Sequence, residues 1–394
     1  MRSRFLMAFI AATLLLAGIL YLLPGYLRPD REAGQRGQGI RVTEALSGGS
    51  LEGFRQASEP RWFVFPADHG PHPGYRTEWW YFTGNLTASD GRRFGYQLTF
   101  FRVALAPEPV ARSSRWGAHE LFLAHFALTD VAGKRFYHTE RFSRSALGLA
   151  GAGANPLKVW LEDWSAVAMT LEPLELRLVA RDGDRSMDLN LRAVKPPVLN
   201  GGGGLSRKGP EPGNASYYYS VPRLATTGSV RIGTETVPVT GLSWLDREWS
   251  TSALGSDLVG WDWFALHLDD DRDLMIYLLR RRDGAVNPFN SGTLVAADGT
   301  ARPLTGDQVR VQVTDHWHSP ASRVRYPSRW RVQVPGEYLD LEIVPRLNGQ
   351  ELLGTIRYWE GAVAVRGKLP GSPGGSGYVE LTGYDADGRQ KQVE

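Results

Sequence analysis

Short stretches in which apolar and polar residues alternate run along most of the chain after residue 60. LELRLVARDGDRSMDLNLRAV (174–194) alternates leucines with polar residues on both sides of an RDGDR turn, which predicts a β-hairpin. FGYQLTFFRV (94–103), VRIGTETVPVTGLSW (230–244) and YLDLEIVP (338–345) continue this pattern, and long helical periodicity is absent there. The pattern therefore predicts that the globular part is all-β.

The amino terminus has a different pattern. A positively charged start precedes an apolar run of nineteen residues from Phe5 to Leu23, close to the ~20 residues of a membrane-spanning helix. Pro24 follows where a signal peptide would carry a small-residue cleavage site. We therefore expect residues 1–27 to be a transmembrane anchor in preference to a cleaved signal peptide. Either segment would place the globular part in the periplasm, anchored to the inner membrane or secreted.

The strand pattern is repeated along the chain. The aromatic stretch 79–82 (WWYF) resembles 261–264 (WDWF), and four further pairs of similar stretches follow in the same order. Such a duplication predicts two closed antiparallel barrels of about eight strands each in meander order. We expect a linker over 28–58, a first barrel domain over 59–235 and a second over 236–394.

Composition excludes several classes of function. The chain of 394 residues has no cysteine, which rules out disulfides, thiolate metal sites and cysteine nucleophiles. Its net charge of +3 is spread along the chain, so we predict no nucleic-acid partner. The two histidines of HELFLAH (119–125) are six residues apart, not the four of a zincin helix. His316 and His318 have no evident third ligand, so we predict neither a metal nor a cofactor.

Carboxylates isolated among aromatic residues are the candidate site residues. In GYRTEWWYFTGNL (74–86), an extended strand would place Glu78 and Trp80 on one face and Tyr81 on the other. These aromatic residues either form a plain core or line a ligand site. A buried Glu78 needs a cationic partner, or else its pKa rises and it suits general acid catalysis. Its candidate partners are Arg76, Arg102 and Arg247.

Two further aromatic segments carry acids. SWLDREWS (243–250) would place Asp246 and Glu248 on one strand face, where paired carboxylates can supply an acid and a base. A surface ion-pair cluster is the alternative interpretation. Asp262 lies between two tryptophans in VGWDWFALHL (259–268). The other candidate ligand-binding residues are Trp261, Trp263 and Tyr218. Glu360 and Glu380 are interpreted as salt-bridge partners between the barrels, without a function.

Seven stretches spread over the chain form a specific combination. They are HPGYRTEWWYFTGNL, ASYYYSVPRL, GLSWLDREWS, GWDWF, YPSRWRVQVP, YWEGAVAVRG and GYVELTGY. Together they resemble the AttH / hydroxyneurosporene synthase family, also called carotenoid 1,2-hydratase-like proteins. The resemblance implies two tandem lipocalin-like (calycin) barrels, in agreement with the strand pattern. It also implies either hydratases that add water to a terminal isoprenoid double bond without a cofactor, or proteins that accompany ABC-transporter components.

The resemblance is incomplete at the catalytic positions that it implies. The hydratase pattern Asp-His-Asn-Trp stands where this chain has DREW (246–249), and a Tyr-x-Asp strand stands where it has YLL (277–279). The histidine and the second aspartate are missing, which puts carotenoid hydration itself in question. The candidate catalytic residues are Asp246 or Glu248 as acid or base, Trp249 as a cation-stabilising ring and Tyr277 to orient water. Trp80 would add to the aromatic wall, and Glu78 is an alternative acid.

Two functions remain open from the sequence. The first is a membrane-anchored protein that binds an apolar isoprenoid- or lipid-like molecule, as a cofactor-independent hydratase. The second is a non-enzymatic protein that binds or presents lipid for an ABC-transporter system.

Overall fold

The computed structural model describes residues 51–108, 114, 116–252, 255 and 257–385. The predicted anchor lies outside these residues, and so does most of the predicted linker. Among the helices in the described ranges, none has the length and apolar character needed to span a bilayer. Two short 3-10 helices, Ala67–His69 and Pro335–Glu337, accompany the strands.

The first sheet contains thirteen strands from the amino-terminal half of the described chain. They are β1 (Thr77–Ala88), β2 (Arg93–Ala104), β3 (Glu120–Asp130), β4 (Arg135–Arg144), β5 (Ala150–Ala154), β6 (Leu157–Leu161), β7 (Trp164–Leu171), β8 (Leu174–Asp182), β9 (Arg185–Ala193), β10 (Val198–Leu199), β11 (Leu205–Arg207), β12 (Ala215–Ile232) and β13 (Glu235–Ser250). Their order is β4-β3-β2-β1-β13-β12-β9-β8-β7-β6-β5, with β10 and β11 paired to β12.

The second sheet contains ten strands from the carboxy-terminal half. They are β14 (Leu258–Leu268), β15 (Asp273–Arg281), β16 (Ser291–Val295), β17 (Ala301–Thr305), β18 (Arg310–His318), β19 (Arg325–Val334), β20 (Leu339–Pro345), β21 (Glu351–Leu353), β22 (Arg357–Gly367) and β23 (Gly375–Thr382). Their order is β17-β16-β15-β14-β23-β22-β20-β19-β18, with β21 paired to β22.

Both sheets follow the same path. Each begins with a strand, β1 or β14, that pairs with the last strand of its own sheet, β13 or β23. In each sheet the fourth and fifth strands along the chain form the two edges. These are β4 and β5 in the first sheet, and β17 and β18 in the second. The predicted all-β fold with two barrel-like sheets is confirmed, and the five pairs of similar stretches fall on equivalent strands. We call the two sheets the first and the second barrel.

Side chains fill both barrel interiors. In β8 and β9 the buried leucines alternate with exposed polar residues, as the hairpin pattern requires. The first core runs from Trp80 and Phe82 through Leu189 to Trp249, and the second is built around Phe264, Trp330 and Trp359. The interior of each barrel is therefore a packed hydrophobic core. A third apolar cluster, which includes Tyr81, Trp244 and Trp263, joins residues of both barrels at their interface.

The first barrel ends, and the second begins, later in the chain than the sequence predicts. β12 and β13 form one hairpin, with Ile232 paired to Glu235, and β13 runs to Ser250 in the first sheet. The second sheet begins at Leu258. The predicted boundary after residue 235 therefore falls at the start of β13, directly after the hairpin turn.

Candidate active site between the barrels

A cavity of about 80 Å³ lies between the barrels and is partly open to solvent. Aromatic rings and carboxyl groups from both barrels form its wall. The lining residues are Thr77, Trp79, Tyr81, Phe101, Lys208, Ala215, Ser216, Tyr218, Asp246, Glu248, Ser250, Ser252, Trp261, Trp263, Tyr277, Tyr358 and Glu380. Because the barrel interiors are filled, this interface is where a ligand can meet titratable groups.

Equivalent strands of the two barrels supply the opposite walls. Tyr81 of β1 pairs with Asp246 of β13, and Trp263 of β14 pairs with Glu380 of β23. Each aromatic residue stands beside a carboxyl group at the same place in its barrel. The duplication therefore brings two related pairs of residues to one cavity.

Asp246 is a buried carboxyl group with three neutral hydrogen-bond donors. Ser220 Oγ lies 2.5 Å and Trp244 Nε1 2.6 Å from its Oδ1, and Tyr218 OH lies 2.5 Å from its Oδ2. Among the ion pairs of the described residues, none involves Asp246. Burial raises the pKa of Asp246 to about 7, because the three donors only partly replace the lost hydration, and Glu248 adds repulsion.

Glu380 and Glu360 form a second acidic group on adjacent strands. They are direct cross-strand partners on β23 and β22, and like charges at such positions repel. Glu380 is partly buried, and burial raises its pKa to about 8, with Glu248 and Asp246 adding to the shift and a Trp261 hydrogen bond opposing it. Burial also raises the pKa of Glu360 well above its usual value, although Tyr81 OH donates to it at 2.8 Å.

Glu248 differs from these acids because a cation reaches it. Lys208 Nζ lies 3.0 Å from Glu248 Oε1, and Ser216 donates to the same oxygen. The ammonium group also lies 3.9 Å from the ring centre of Tyr277, a cation–π contact that fixes both side chains. The cavity therefore combines one carboxylate held by a lysine with carboxyl groups that have no cation.

Most of the predicted site residues meet in this cavity. Asp246 and Glu248 share one face of β13, as alternation predicts, and both line it. The predicted residues that line the cavity are Tyr81, Tyr218, Asp246, Glu248, Trp261, Trp263 and Tyr277.

Glu78 and Trp80 do not line the cavity, contrary to the sequence interpretation. They point into the first barrel because they alternate with Trp79 and Tyr81 on β1. Arg102 Nε lies 2.9 Å from Glu78 Oε1, and Arg247 Nη2 lies 3.4 Å from Oε2. Although burial opposes it, these cations hold the pKa of Glu78 far below its usual value. Two of its three candidate partners therefore pair with it, and its carboxylate is structural.

Trp249 and Asp262 also face away from the cavity. Trp249 is fully buried in the first barrel, where it stacks on His72 with ring centres 3.7 Å apart. Asp262 accepts hydrogen bonds from Arg280 and Tyr384 at 2.9–3.0 Å. Each is one residue away from a cavity residue, Glu248 or Trp263, so strand alternation sends it to the opposite face.

Several lining residues were missed or were given no function in the sequence analysis. The sequence pattern predicted a salt bridge for Glu380 and gave no role to Trp79, which shares a strand face with Tyr81. Lys208 lies in a glycine-rich segment, where β11 pairs with β12 and positions it. Tyr358 belongs to the YWEGAVAVRG stretch but was not predicted as a site residue, because only the contact between the barrels brings it to the cavity wall. Among the described residues, no three His, Asp or Glu side chains group as metal ligands.

Comparison with known proteins identifies the family. A model of the family described as AttH-like matches residues 56–384. The chain belongs to the AttH-like family. The crystal structure of a candidate AttH protein from Nitrosomonas europaea superposes with a TM-score of 0.75 at 36% identity, and the match covers 84% of this AttH-like chain and 100% of that one. The family predicted from the sequence motifs is therefore confirmed.

Two curated relatives of this AttH-like chain are named as enzymes. Dehydratase asqC of Emericella nidulans is 24% identical over 218 residues, which cover 52% of this chain and 60% of the relative. Kievitone hydratase of Fusarium solani subsp. phaseoli is 24% identical over 232 residues, which cover 57% of this chain and 64% of the relative. The chain thus spans 60–64% of the length of these relatives.

Proposed function

We propose that this AttH-like protein is a cofactor-independent enzyme that adds water to, or removes it from, an apolar unsaturated molecule. The observation that carries the proposal is the pair Asp246 and Glu380, two carboxyl groups without a cation that face one aromatic cavity. The names of the two curated relatives, a hydratase and a dehydratase, support it.

Glu380 is the proton donor in this proposal. Its pKa of about 8 keeps a proton on the carboxyl group at neutral pH, and its partial exposure lets a ligand reach it. Asp246 suits the role less well, because three donors already point at its oxygens. In the hydration direction, the O–H bond of Glu380 breaks and the π electrons of the alkene form a new C–H bond.

The aromatic wall stabilises the carbocation that this protonation leaves. Trp79, Trp261 and Trp263 border the cavity, and the face of an indole ring attracts a cation. Water then forms a C–O bond with the cationic carbon and must lose one proton. Glu248 and Lys208 supply an acceptor and a donor that can hold this water in position. Dehydration follows the same steps in reverse.

The ligand is proposed to be isoprenoid- or lipid-like, with its reacting end in the cavity. Eight of the lining side chains are aromatic and the cavity is partly open, so the remainder of a longer molecule can extend outward. The anchor, the periplasmic location and an ABC-transporter partner remain proposals that rest on sequence alone.

The test measures water transfer directly. Kievitone and neurosporene are incubated with the full-length protein in H₂¹⁸O, and products are analysed by mass spectrometry. We expect ¹⁸O in a hydrated product, and Glu380→Gln should slow its formation at least about 100-fold, since general acid catalysis typically contributes that much. Glu342→Gln, on β20 of the second barrel, is the matched control and should keep full activity.

Other outcomes decide against the proposal. Equal turnover by wild type and Glu380→Gln would remove Glu380 as the acid. If either compound quenches tryptophan fluorescence saturably but no ¹⁸O enters a product, the chain is the non-enzymatic lipid-binding protein.

A further inference from the structure

Three side chains form a connected chain from the cavity wall towards the protein surface. Tyr358 of β22 lines the cavity, and its hydroxyl lies 2.5 Å from Nδ1 of His125 on β3. Nε2 of His125 lies 3.6 Å from Oε2 of Glu140 on β4. The side chain of His125 is 1% exposed and that of Glu140 is 24% exposed. The connection thus leads from a buried wall to the side chain of Glu140, although the Oε2 atom that faces His125 is itself buried.

The neighbouring contacts assign the tautomer of His125. The main-chain N–H and the hydroxyl of Thr355 donate to Glu140 Oε1 at 2.7 and 2.8 Å, which leaves Oε2 for His125. Burial alone would raise the pKa of Glu140, but the neighbouring His125 and the hydrogen bonds from Thr355 lower it to about 2. Nε2 of His125 lies 3.6 Å from the Oε2 anion, which is an ion-pair distance and longer than a hydrogen bond. A proton on Nε2 is attracted to this anion, so we assign the Nε2–H tautomer, in which Nδ1 is the acceptor. Tyr358 therefore donates to Nδ1.

Gln97 completes the surroundings of the phenol oxygen. Its Nε2 lies 3.2 Å from Tyr358 OH and 2.6 Å from Thr99 Oγ1. An amide NH₂ group has two hydrogens, so it donates to both. The Tyr358 oxygen therefore receives one hydrogen bond and gives one. Burial and the neighbouring Glu360 and Glu380 raise the pKa of Tyr358 well above its usual value, so the phenol can pass its proton on only while it receives another.

Backbone register holds the relay in place. His125 and Glu140 are direct cross-strand partners on β3 and β4 of the first barrel. Tyr358 and Thr355 belong to the second barrel, on β22 and in the turn before it. The relay therefore exists only when the barrels are docked, as does the cavity that it adjoins.

We propose that Tyr358, His125 and Glu140 carry the proton that the attacking water releases out of the cavity. This inference rests on the proposed function and supplies the base that it requires. The water's O–H bond breaks as its proton passes to Tyr358 oxygen, while the Tyr358 proton moves to His125 Nδ1. The imidazolium holds this proton beside the Glu140 carboxylate. After the product leaves, the reverse shift through Tyr358 returns the proton to the cavity, where Glu380 regains the proton that it gave to the alkene. Tyr358 is the catalytic residue, and His125 and Glu140 are positioning residues.

The first test needs no substrate. In the full-length protein labelled with ¹⁵N-histidine, two-bond proton–nitrogen correlations show which ring nitrogen of His125 is protonated. We expect Nε2–H in the wild type. In Glu140→Gln, the Thr355 N–H holds the amide oxygen in the Oε1 position, so the NH₂ group faces His125 and donates to Nε2. We therefore expect the tautomer to switch to Nδ1–H, and Glu140→Asp to restore Nε2–H.

The second test uses whichever of kievitone and neurosporene incorporates ¹⁸O. Tyr358→Phe and His125→Gln should each lower kcat by at least about 10-fold with little change in KM, because the relay acts on a proton in the reaction. Tyr326→Phe and His267→Gln are matched controls, since each removes a buried, hydrogen-bonded group outside the cavity. Both controls should retain the wild-type kcat.

The outcomes separate the relay from the proposed function. Nδ1–H in the wild type, no tautomer switch in Glu140→Gln, or an unchanged kcat in Tyr358→Phe would each overturn the relay. Absence of ¹⁸O product from the wild type contradicts the proposed function, whereas the tautomer measurement still decides whether the hydrogen bonds run as inferred.

Discussion

Buried carboxyl groups on the two faces of the β1–β13 pair have pKa shifts of opposite sign. On the inward face Glu78 is fully buried and contacts Arg102, Arg247 and His72. On the outward face Asp246 is also buried, but its donors are neutral hydroxyl and indole groups. The pKa of Glu78 is lowered and that of Asp246 is raised to about 7.

This difference shows that burial alone does not decide whether a carboxyl group keeps its charge. Desolvation opposes ionisation at both sites, and the arrangement of cations decides the outcome. Arg247 lies between Asp246 and Glu248 in the sequence, but strand alternation sends its guanidinium to Glu78 instead. In the three-residue stretch Asp-Arg-Glu, the cation and the two acids that flank it thus lie on opposite faces of the strand.

The second barrel repeats the division. Asp262 points away from the cavity and is paired with Arg280 at 3.0 Å. Glu380 faces the cavity and, among the ion pairs of the described chain, has none. The inward acid is therefore paired with arginine in both barrels, and the outward acid is not. In the second barrel, however, burial outweighs Arg280 and Tyr384 and raises the pKa of Asp262.

The largest expected change in stability comes from removing the charge of the inward carboxylate, Glu78. Glu78→Gln leaves Arg102 and Arg247 buried without their anion, so we expect the free energy of unfolding to fall by about 3–5 kcal/mol. Urea denaturation followed by tryptophan fluorescence measures the change. The control Glu235→Gln breaks an exposed pair with Arg92 and should leave stability nearly unchanged. A Glu78→Gln protein as stable as this control would contradict a structural role.

A smaller effect concerns how stability depends on pH. Asp246 has a pKa of about 7 in the folded protein and 3.8 as its usual value. Between these values the folded state holds a proton that the unfolded state releases, so this group destabilises the fold as pH rises. Asp246→Asn should therefore gain stability relative to wild type by about 1 kcal/mol per pH unit between pH 4 and 7.

The measurement is urea denaturation of both proteins at several pH values. If the two stability curves stay parallel across this range, then Asp246 is ionised when folded and the contrast with Glu78 is lost. Below pH 4.5 both proteins should lose stability as the pH falls, because the carboxylate of Glu78 is protonated and its ion pairs are lost.

The smallest effect is expected at Glu360. Burial and the neighbouring Glu380 raise the pKa of Glu360 well above its usual value, which favours the neutral form. Glu360→Gln then replaces a neutral group with another of similar shape. The amide oxygen can still accept from Tyr81 OH, so we expect the free energy of unfolding to change by less than about 1 kcal/mol at pH 7. The same denaturation assay measures it, and a loss near that of Glu78→Gln would show that Glu360 carries a charge.

Much of the fold follows from local sequence. Alternation between apolar and polar residues predicts the strands, and the WWYF and WDWF stretches reveal the duplication. Alternation also places Asp246 and Glu248 on one face. What alternation cannot give is which face is the interior, so Glu78 and Trp80 were assigned to the ligand site together with Tyr81.

The remainder of the site depends on contacts between distant strands. Tyr358 lies 233 positions from His125 in the chain, and their hydrogen bond forms only across the interface of the barrels. Lys208 is positioned by a three-residue strand within a glycine-rich segment that reads as a loop. Pairings of this kind leave no periodic signal in the sequence, so they were missed.

The pairing of first and last strands also governs when each barrel can fold. Thr77 meets Ser250 across 173 positions of chain, and such a distant contact costs loop-closure entropy before it gains any stabilisation. During synthesis, one edge of β1 must wait unpaired until β13 has left the ribosome. The apolar strands β2 and β3 can form beforehand and stay exposed to association with other chains. Biogenesis of this protein should accordingly be slow and should benefit from chaperones that cover open strand edges.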